Sequence, residues 1–212
     1  MTKTIGIICA FERELAPLIA KPPSHCRIVA GGIGAQAAER AARLMDCSAL
    51  ISTGYAGGLA APAARGVIVV DTATTVFDYA LPQSARGRIA DSQTMVATPA
   101  ARAALAAKTG AIAVDMESAA IAKVAAERGI PFAAIRVITD GPGDTMVIDW
   151  DRYRRPDASN PEGHMRTTAA VLSALRSPQG IAELFRLWYA SKGATTVLDS
   201  YLRQFLESWK PL

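Results

Sequence analysis

The chain has 212 residues, half of them hydrophobic and a fifth charged, a composition that fits one globular domain with a sizeable core and excludes disordered and fibrous classes. Its formal net charge of +4, with an isoelectric point near 9.1, is too slight an excess to point to nucleic acid. Cys9, Cys26 and Cys47 are scattered without a C-x-x-C pair, which argues against a disulfide framework or zinc site. No apolar run reaches membrane-spanning length, so a reducing cytoplasm is the expected setting.

In chain order, residues 5–10 read as a buried strand, 12–19 as a short helix, 27–30 as a second strand and 35–45 as an alanine-rich helix. A third strand at 49–53 runs into the turn Gly54-Tyr55-Ala56-Gly57-Gly58, and a fourth covers 67–70. Residues 81–87 read as a loop. Thr98-Pro99 supplies an N-cap and a proline at the first helical position, and this helix closes near Thr109-Gly110. A strand at 111–114 precedes a helix at 116–128, stopped by Gly129 and Pro131, and a buried strand follows at 132–138. The stretch 141–161 reads as loop, and three helical segments at 163–175, 178–191 and 194–209 end the chain. Strands alternating with helices imply an α/β fold with a mostly parallel sheet covered on both faces.

Gly32-Ile33-Gly34-Ala35-Gln36-Ala37 follows a strand and opens a helix, a loose match to the dinucleotide fingerprint. That fingerprint also needs an acid at the end of the next strand, and Ala49-Leu50-Ile51-Ser52-Thr53 has none. The better reading is a tight turn that needs glycine for steric reasons. Open parallel sheets bind ligands beyond the carboxyl ends of their strands. Glu12 and Glu14 follow the first strand there, Asp115 and Glu117 follow the 111–114 strand, and Arg136 and Asp140 lie at the end of the 132–138 strand. Singly, each can be a helix-start or turn residue; acids converging on one rim with an arginine read as a site.

These segments resemble the methylthioadenosine/S-adenosylhomocysteine nucleosidases. The likeness rests on Ile5-Gly6-Ile7-Ile8-Cys9-Ala10-Phe11-Glu12-Arg13-Glu14-Leu15, Gly31-Gly32-Ile33-Gly34, Ser52-Thr53-Gly54-Tyr55-Ala56-Gly57-Gly58-Leu59, Ala113-Val114-Asp115-Met116-Glu117-Ser118 and Pro131 to Asp140. Lys108-Thr109-Gly110-Ala111 and Leu175-Arg176-Ser177-Pro178 resemble the hopanoid-associated phosphorylase branch, whose implied substrate is adenosylhopane. The resemblance implies a three-layer αβα sandwich, nucleoside phosphorylase-like, over residues 1–177, with a helical extension over 178–212 packed on it. It implies a homo-oligomer that cleaves the N-glycosidic bond of a purine nucleoside without metal or organic cofactor.

The resemblance also assigns roles. Glu14 would activate the attacking water, and Asp140 would protonate or hydrogen-bond N7 of the base. Glu117 would hold the ribose hydroxyls, Met116 would pack on the sugar, and Arg136 would pair with Glu14 or an anionic nucleophile. Tyr55, Ala56 and Gly57 would line the substrate pocket, Tyr55 standing where the family has a small residue. Phe77, Tyr79 and Met95 are candidates for base contacts. Glu14 would repel a phosphate dianion, which favours hydrolysis; phosphorolysis, with phosphate as co-substrate, and non-catalytic nucleoside binding stay open. The apolar stripe Leu198, Tyr201, Leu202, Phe205, Leu206 and Trp209 has helical spacing. It reads either as a packing face or, given a lipid-linked substrate, as a peripheral membrane contact.

Overall fold

The computed structural model describes residues 4–75, 84–154 and 165–208. Eight strands form one mixed sheet: β1 (Ile5–Cys9), β2 (Cys26–Ala30), β3 (Ala49–Gly58), β4 (Ile68–Asp71), β5 (Ser84–Gly87), β6 (Ile89–Asp91), β7 (Ala113–Asp115) and β8 (Phe132–Asp140). The order β2-β1-β3-β8-β4-β5 is parallel except where β4 meets β8. The far end of β3 pairs antiparallel with β7, which runs parallel to β6.

β1 is buried along its whole length, and its alternate side chains serve two cores. Ile5, Ile7 and Cys9 pack beneath α1 (Ala16–Ala20) and α6 (Pro178–Ser208), and Ile8 packs beneath α2 (Ala35–Leu44) and α4 (Ser118–Glu127). The expected three-layer αβα sandwich with a C-terminal helix is thus observed. Helix α3 (Pro99–Thr109) starts as expected: the Thr98 hydroxyl accepts from Ala101 N, Pro99 is its first residue, and Gly110 closes it at φ 67°. Leu105 and Ala106 of α3 pack on Leu59, Ala90, Ala111 and Val114.

Several boundaries differ from the sequence expectation. The 12–19 helix is a single 3-10 turn, Glu12–Glu14, followed by α1. Residues 54–58 are not a turn but a continuation of β3: 54–57 keep pairing with β8, with a bulge between Ala56 and Gly57 that sets Gly57 opposite Asp140, and Gly58 pairs with β7. Residues 84–87, read as loop, form β5, a short strand at the sheet edge whose Ser-Ala-Arg-Gly sequence carries no strand pattern. The helix read from 116 starts at Ser118, because Met116 and Glu117 form a bend between β7 and the helix, with Glu117 in a non-helical N-cap conformation. The helix read over 163–175 is α5 (Thr167–Ala174) within the described residues. The segments 178–191 and 194–209 are one helix, α6, uninterrupted through Gly193: core packing outweighs the modest propensity cost of a single glycine.

Candidate active site

One cavity of about 690 Å³ opens at the carboxyl ends of β1, β3, β7 and β8, and it is lined by Glu14, Tyr55, Ala56, Gly57, Met116, Glu117 and Asp140. The fold thereby brings together Glu14, Tyr55, Ala56, Gly57, Met116, Glu117 and Asp140 as the sequence suggested, whereas Glu12 and Arg136 do not line the cavity. Phe77 and Tyr79 lie outside the described residues, and Met95 is on the cavity wall.

Glu14 ends the 3-10 turn after β1 and is 4% exposed. Its Oε2 accepts from Ala10 N (2.9 Å) and Phe11 N (3.1 Å), and its Oε1 accepts from Tyr55 N (3.4 Å). Burial pushes its carboxyl above the usual range, opposed by these amides and by the field of Arg136. Room for it comes from Gly54, at φ +135°: a Cβ there would lie 2.7 Å from Glu14 Oε2 and 3.2 Å from Arg136 Nη1. The neighbouring Cys9 is no rival nucleophile, since burial pushes its thiol up to about 12.

Arg136, central in β8 and fully buried, does not pair with Glu14 as expected. Its Nε reaches Asp115 Oδ2 at 2.6 Å, and its Nη2 donates to Ser52 Oγ (2.8 Å) and Ser118 Oγ (3.1 Å), with Glu117 Oε2 at 3.8 Å. Asp115 ends β7 beside it and also accepts from the Ser118 hydroxyl, so Nε and Nη2 are committed to this network, and Glu14 feels the guanidinium only through its field. Glu117 caps this network: its Oε1 accepts from Gly34 N at 2.8 Å and its Oε2 from Met116 N at 3.3 Å. Burial drives its carboxyl up to about 7, with Arg136 opposing and Asp115 reinforcing the shift. The glycine turn before α2 thus points an amide at an internal carboxylate, which leaves no seat there for a pyrophosphate.

Asp140 ends β8 at the cavity's other side. Its Oδ2 is 2.5 Å from Arg102 Nη2, and its Oδ1 accepts from the Thr139 hydroxyl at 2.8 Å. Arg102, on α3, was missed from the sequence: a lone arginine in Pro-Ala-Ala-Arg-Ala-Ala-Leu reads as a solvated helix residue. The available signal was its spacing, three and four residues before the inward-facing Leu105 and Ala106. The Tyr55 hydroxyl bonds Thr195 Oγ1 (2.6 Å) and Ser191 O (3.2 Å) on α6. It ties the site to the C-terminal helix.

The outer half of the cavity is apolar, walled by Met146, Trp150, Val171, Leu175, Ile181 and Leu184. Beyond it Phe185, Trp188 and Tyr189 stand exposed on α6 at 61%, 49% and 68%. The expected apolar stripe lies elsewhere on the same helix: Leu198, Tyr201, Leu202, Phe205 and Leu206 are buried against β1, β8 and α1, which answers the choice between packing and membrane contact for those residues. Trp209 lies outside the described residues. No helix among them is long and apolar enough to cross a membrane.

Comparison with known proteins agrees with this fold. Residues 79–175 match the family model of the phosphorylase superfamily. The chain is 30% identical to the 5′-methylthioadenosine/S-adenosylhomocysteine nucleosidase of Shewanella piezotolerans and 31% identical to that of Shewanella halifaxensis, in both cases over 70% of this chain and 91% of the relative. Among solved structures, a Helicobacter pylori MTAN mutant with 5′-methylthioadenosine in its active site superposes with a TM-score of 0.66 at 16% identity, covering 99% of this chain and 100% of that one. The futalosine hydrolase of Helicobacter pylori gives 0.66 at 15% identity, covering 99% of each chain.

Proposed function

The chain belongs to the phosphorylase superfamily of nucleoside phosphorylases and nucleosidases, and on that premise we propose that it hydrolyses the N-glycosidic bond of an adenine nucleoside. The observation that carries this reading is the seat of Glu14. The amides of Ala10 and Phe11, which could cradle an oxyanion, are filled by the enzyme's own carboxylate. A phosphate dianion would meet negative charge there; a water can give up its proton to it. Burial raises the proton affinity of Glu14, which suits a base working near neutral pH.

As the C1′–N9 bond lengthens, the sugar takes on oxocarbenium character. Glu117, tethered by Gly34 N, accepts from the ribose hydroxyls, and Met116 packs on the ring. Water attacks C1′ and its proton passes to Glu14, while N7 of the purine takes up a proton from solvent and the N7–H so formed donates to the Asp140 carboxylate. The products are adenine and the free sugar. Arg136 offsets the charge of Asp115 and Glu117 and does not bind the nucleophile.

The outer half of the cavity then receives the 5′ substituent. Its apolar wall and the exposed aromatic rim favour a large apolar group, of which adenosylhopane, implied by the hopanoid-associated resemblance, is the case in point. Phe185, Trp188 and Tyr189, with Arg186 and Lys192 beside them, suit a peripheral contact with an anionic bilayer. The test is adenine release from adenosine, 5′-methylthioadenosine and a nucleoside with a long apolar 5′ chain. We expect kcat/KM to be at least about tenfold higher for the apolar substrate, since each buried methylene is worth about 1–3 kcal/mol of discrimination. Equal or better turnover of adenosine would remove the lipid-linked substrate and leave the nucleosidase.

A further inference from the structure

We propose that Arg102 is a positioning residue for the leaving group, holding the Asp140 carboxylate where the purine must meet it. The inference rests on the nucleosidase reading above. Arg102 is 1% exposed and reaches from α3 across to the ends of two strands. Its Nη2 grips Asp140 Oδ2 at 2.5 Å, and its Nη1 donates to Gly58 O at 3.0 Å and, at 3.4 Å, to Asp140 O. One planar fork thus ties the ends of β3 and β8 together and fixes the carboxylate relative to both, a geometry that lysine cannot copy.

Two further observations separate this from ordinary structural pairing. The Arg102 Nε–H is buried and has no partner among the described residues, so the side chain does not satisfy its own donors, and a buried unsatisfied group calls for an explanation. Gly57, opposite Asp140 across the β-bulge, leaves the space the pair occupies: a Cβ there would lie 3.1 Å from both Arg102 Nη1 and Asp140 Oδ2. With Oδ2 held by Arg102 and Oδ1 by the Thr139 hydroxyl, Asp140 keeps a lone pair to accept from N7–H of the base. Fixed in this way, it contributes most as N7 gains its proton and the bond breaks, so losing Arg102 lowers kcat more than it raises KM.

The test is steady-state adenine release by Arg102→Met, Arg102→Lys and Gly57→Ala, each made alone and in an Asp140→Asn background, with melting curves for all. We expect Arg102→Met to lose about 10²-fold in kcat, the scale of a misplaced catalytic group, with KM changed less than about threefold. Arg102→Lys should recover part of that loss. In the Asp140→Asn background neither Arg102→Met nor Gly57→Ala should lower kcat by more than about threefold, because residues that act through one another are not additive. Should Arg102→Met not fold, Gly57→Ala keeps both charges and decides: a roughly tenfold kcat loss, confined to the parent background, supports the proposal. Near-parental kcat in a folded Arg102→Met or Gly57→Ala, or the same fractional loss with and without Asp140, overturns it. A parent that releases no adenine refutes the nucleosidase reading and the proposal with it, whereas an active parent indifferent to Arg102 refutes the proposal alone.

Discussion

Four buried acids surround the cavity in two pairs of opposite character. Asp115 and Asp140 each lie within 2.6 Å of a guanidinium, from Arg136 and Arg102. Glu14 has no ion pair among the described residues, and Glu117 has only the distant Nη2 of Arg136, at 3.8 Å; backbone amides hold them both. Burial raises a carboxyl when little positive charge offsets it, and both glutamates are shifted upward with burial as the leading cause. The aspartates are held in place by their arginines, Asp115 within the frame and Asp140 at the edge of the cavity, and the glutamates are left with proton affinity to use. A buried acid therefore has to be read together with the cation that answers it.

Substitutions sharpen that contrast, because an amide-held acid and an ion-paired one should fail differently. Glu14→Gln removes the base and should cost about 10²–10⁴-fold in kcat. Its melting temperature should hold or rise, since a poorly compensated buried charge is gone. Parental turnover by this variant would break the comparison at its strongest point. Asp140→Asn should lose about 10²-fold in kcat, but with a stability loss of about 3 kcal/mol, because Arg102 is left buried without its counter-charge. Chemical denaturation of the two variants side by side checks this, and equal stability would contradict it.

Glu117 gives a smaller, pH-dependent effect. Its carboxyl must be ionised to accept from both ribose hydroxyls, so kcat/KM for a riboside should rise as pH increases through about 7. The preference over the 2′-deoxyriboside should rise with it. The stability effect has the opposite sign. The folded state binds the proton more tightly than the reference carboxyl at 4.5, so this contribution is present below that pH and lost as pH rises through about 7. Glu117→Gln should flatten both trends; a riboside preference that ignores pH in the parent would take Glu117 out of the sugar site. The smallest stability change belongs to Trp188→Glu on the exposed rim, expected within about 0.5 kcal/mol. It should nonetheless weaken co-sedimentation with anionic vesicles at low salt. Unchanged vesicle binding, or none by the parent, would remove the membrane contact.

The legible part of this molecule was what one stretch of chain fixes by itself. The buried run Ile5-Gly6-Ile7-Ile8, the Thr98-Pro99 cap and the acids at strand ends all carry local patterns, and their positions in the fold follow from them. What stayed hidden depends on partners distant in sequence. Arg102 belongs to the site because α3 crosses the ends of β3 and β8; its spacing to Leu105 and Ala106 marks it as inward-facing but does not say what it meets. Residues 54–58 look like a glycine turn, yet β8 supplies a pairing partner that keeps them extended. Helix α6 makes the same point along its length: the aromatic segments near 185–189 and 201–205 look alike in sequence, but only the second meets the sheet. Amphipathic spacing shows that a face will be covered and leaves open by what.

The central claim, that Glu14 turns water and not phosphate on C1′, is tested most directly by following adenine release by the purified protein in phosphate-free buffer and again with millimolar phosphate. The account predicts the same rate in both, with a free reducing sugar as co-product and release by Glu14→Gln slowed about 10²–10⁴-fold. Release that requires phosphate, and yields a sugar 1-phosphate, would contradict it.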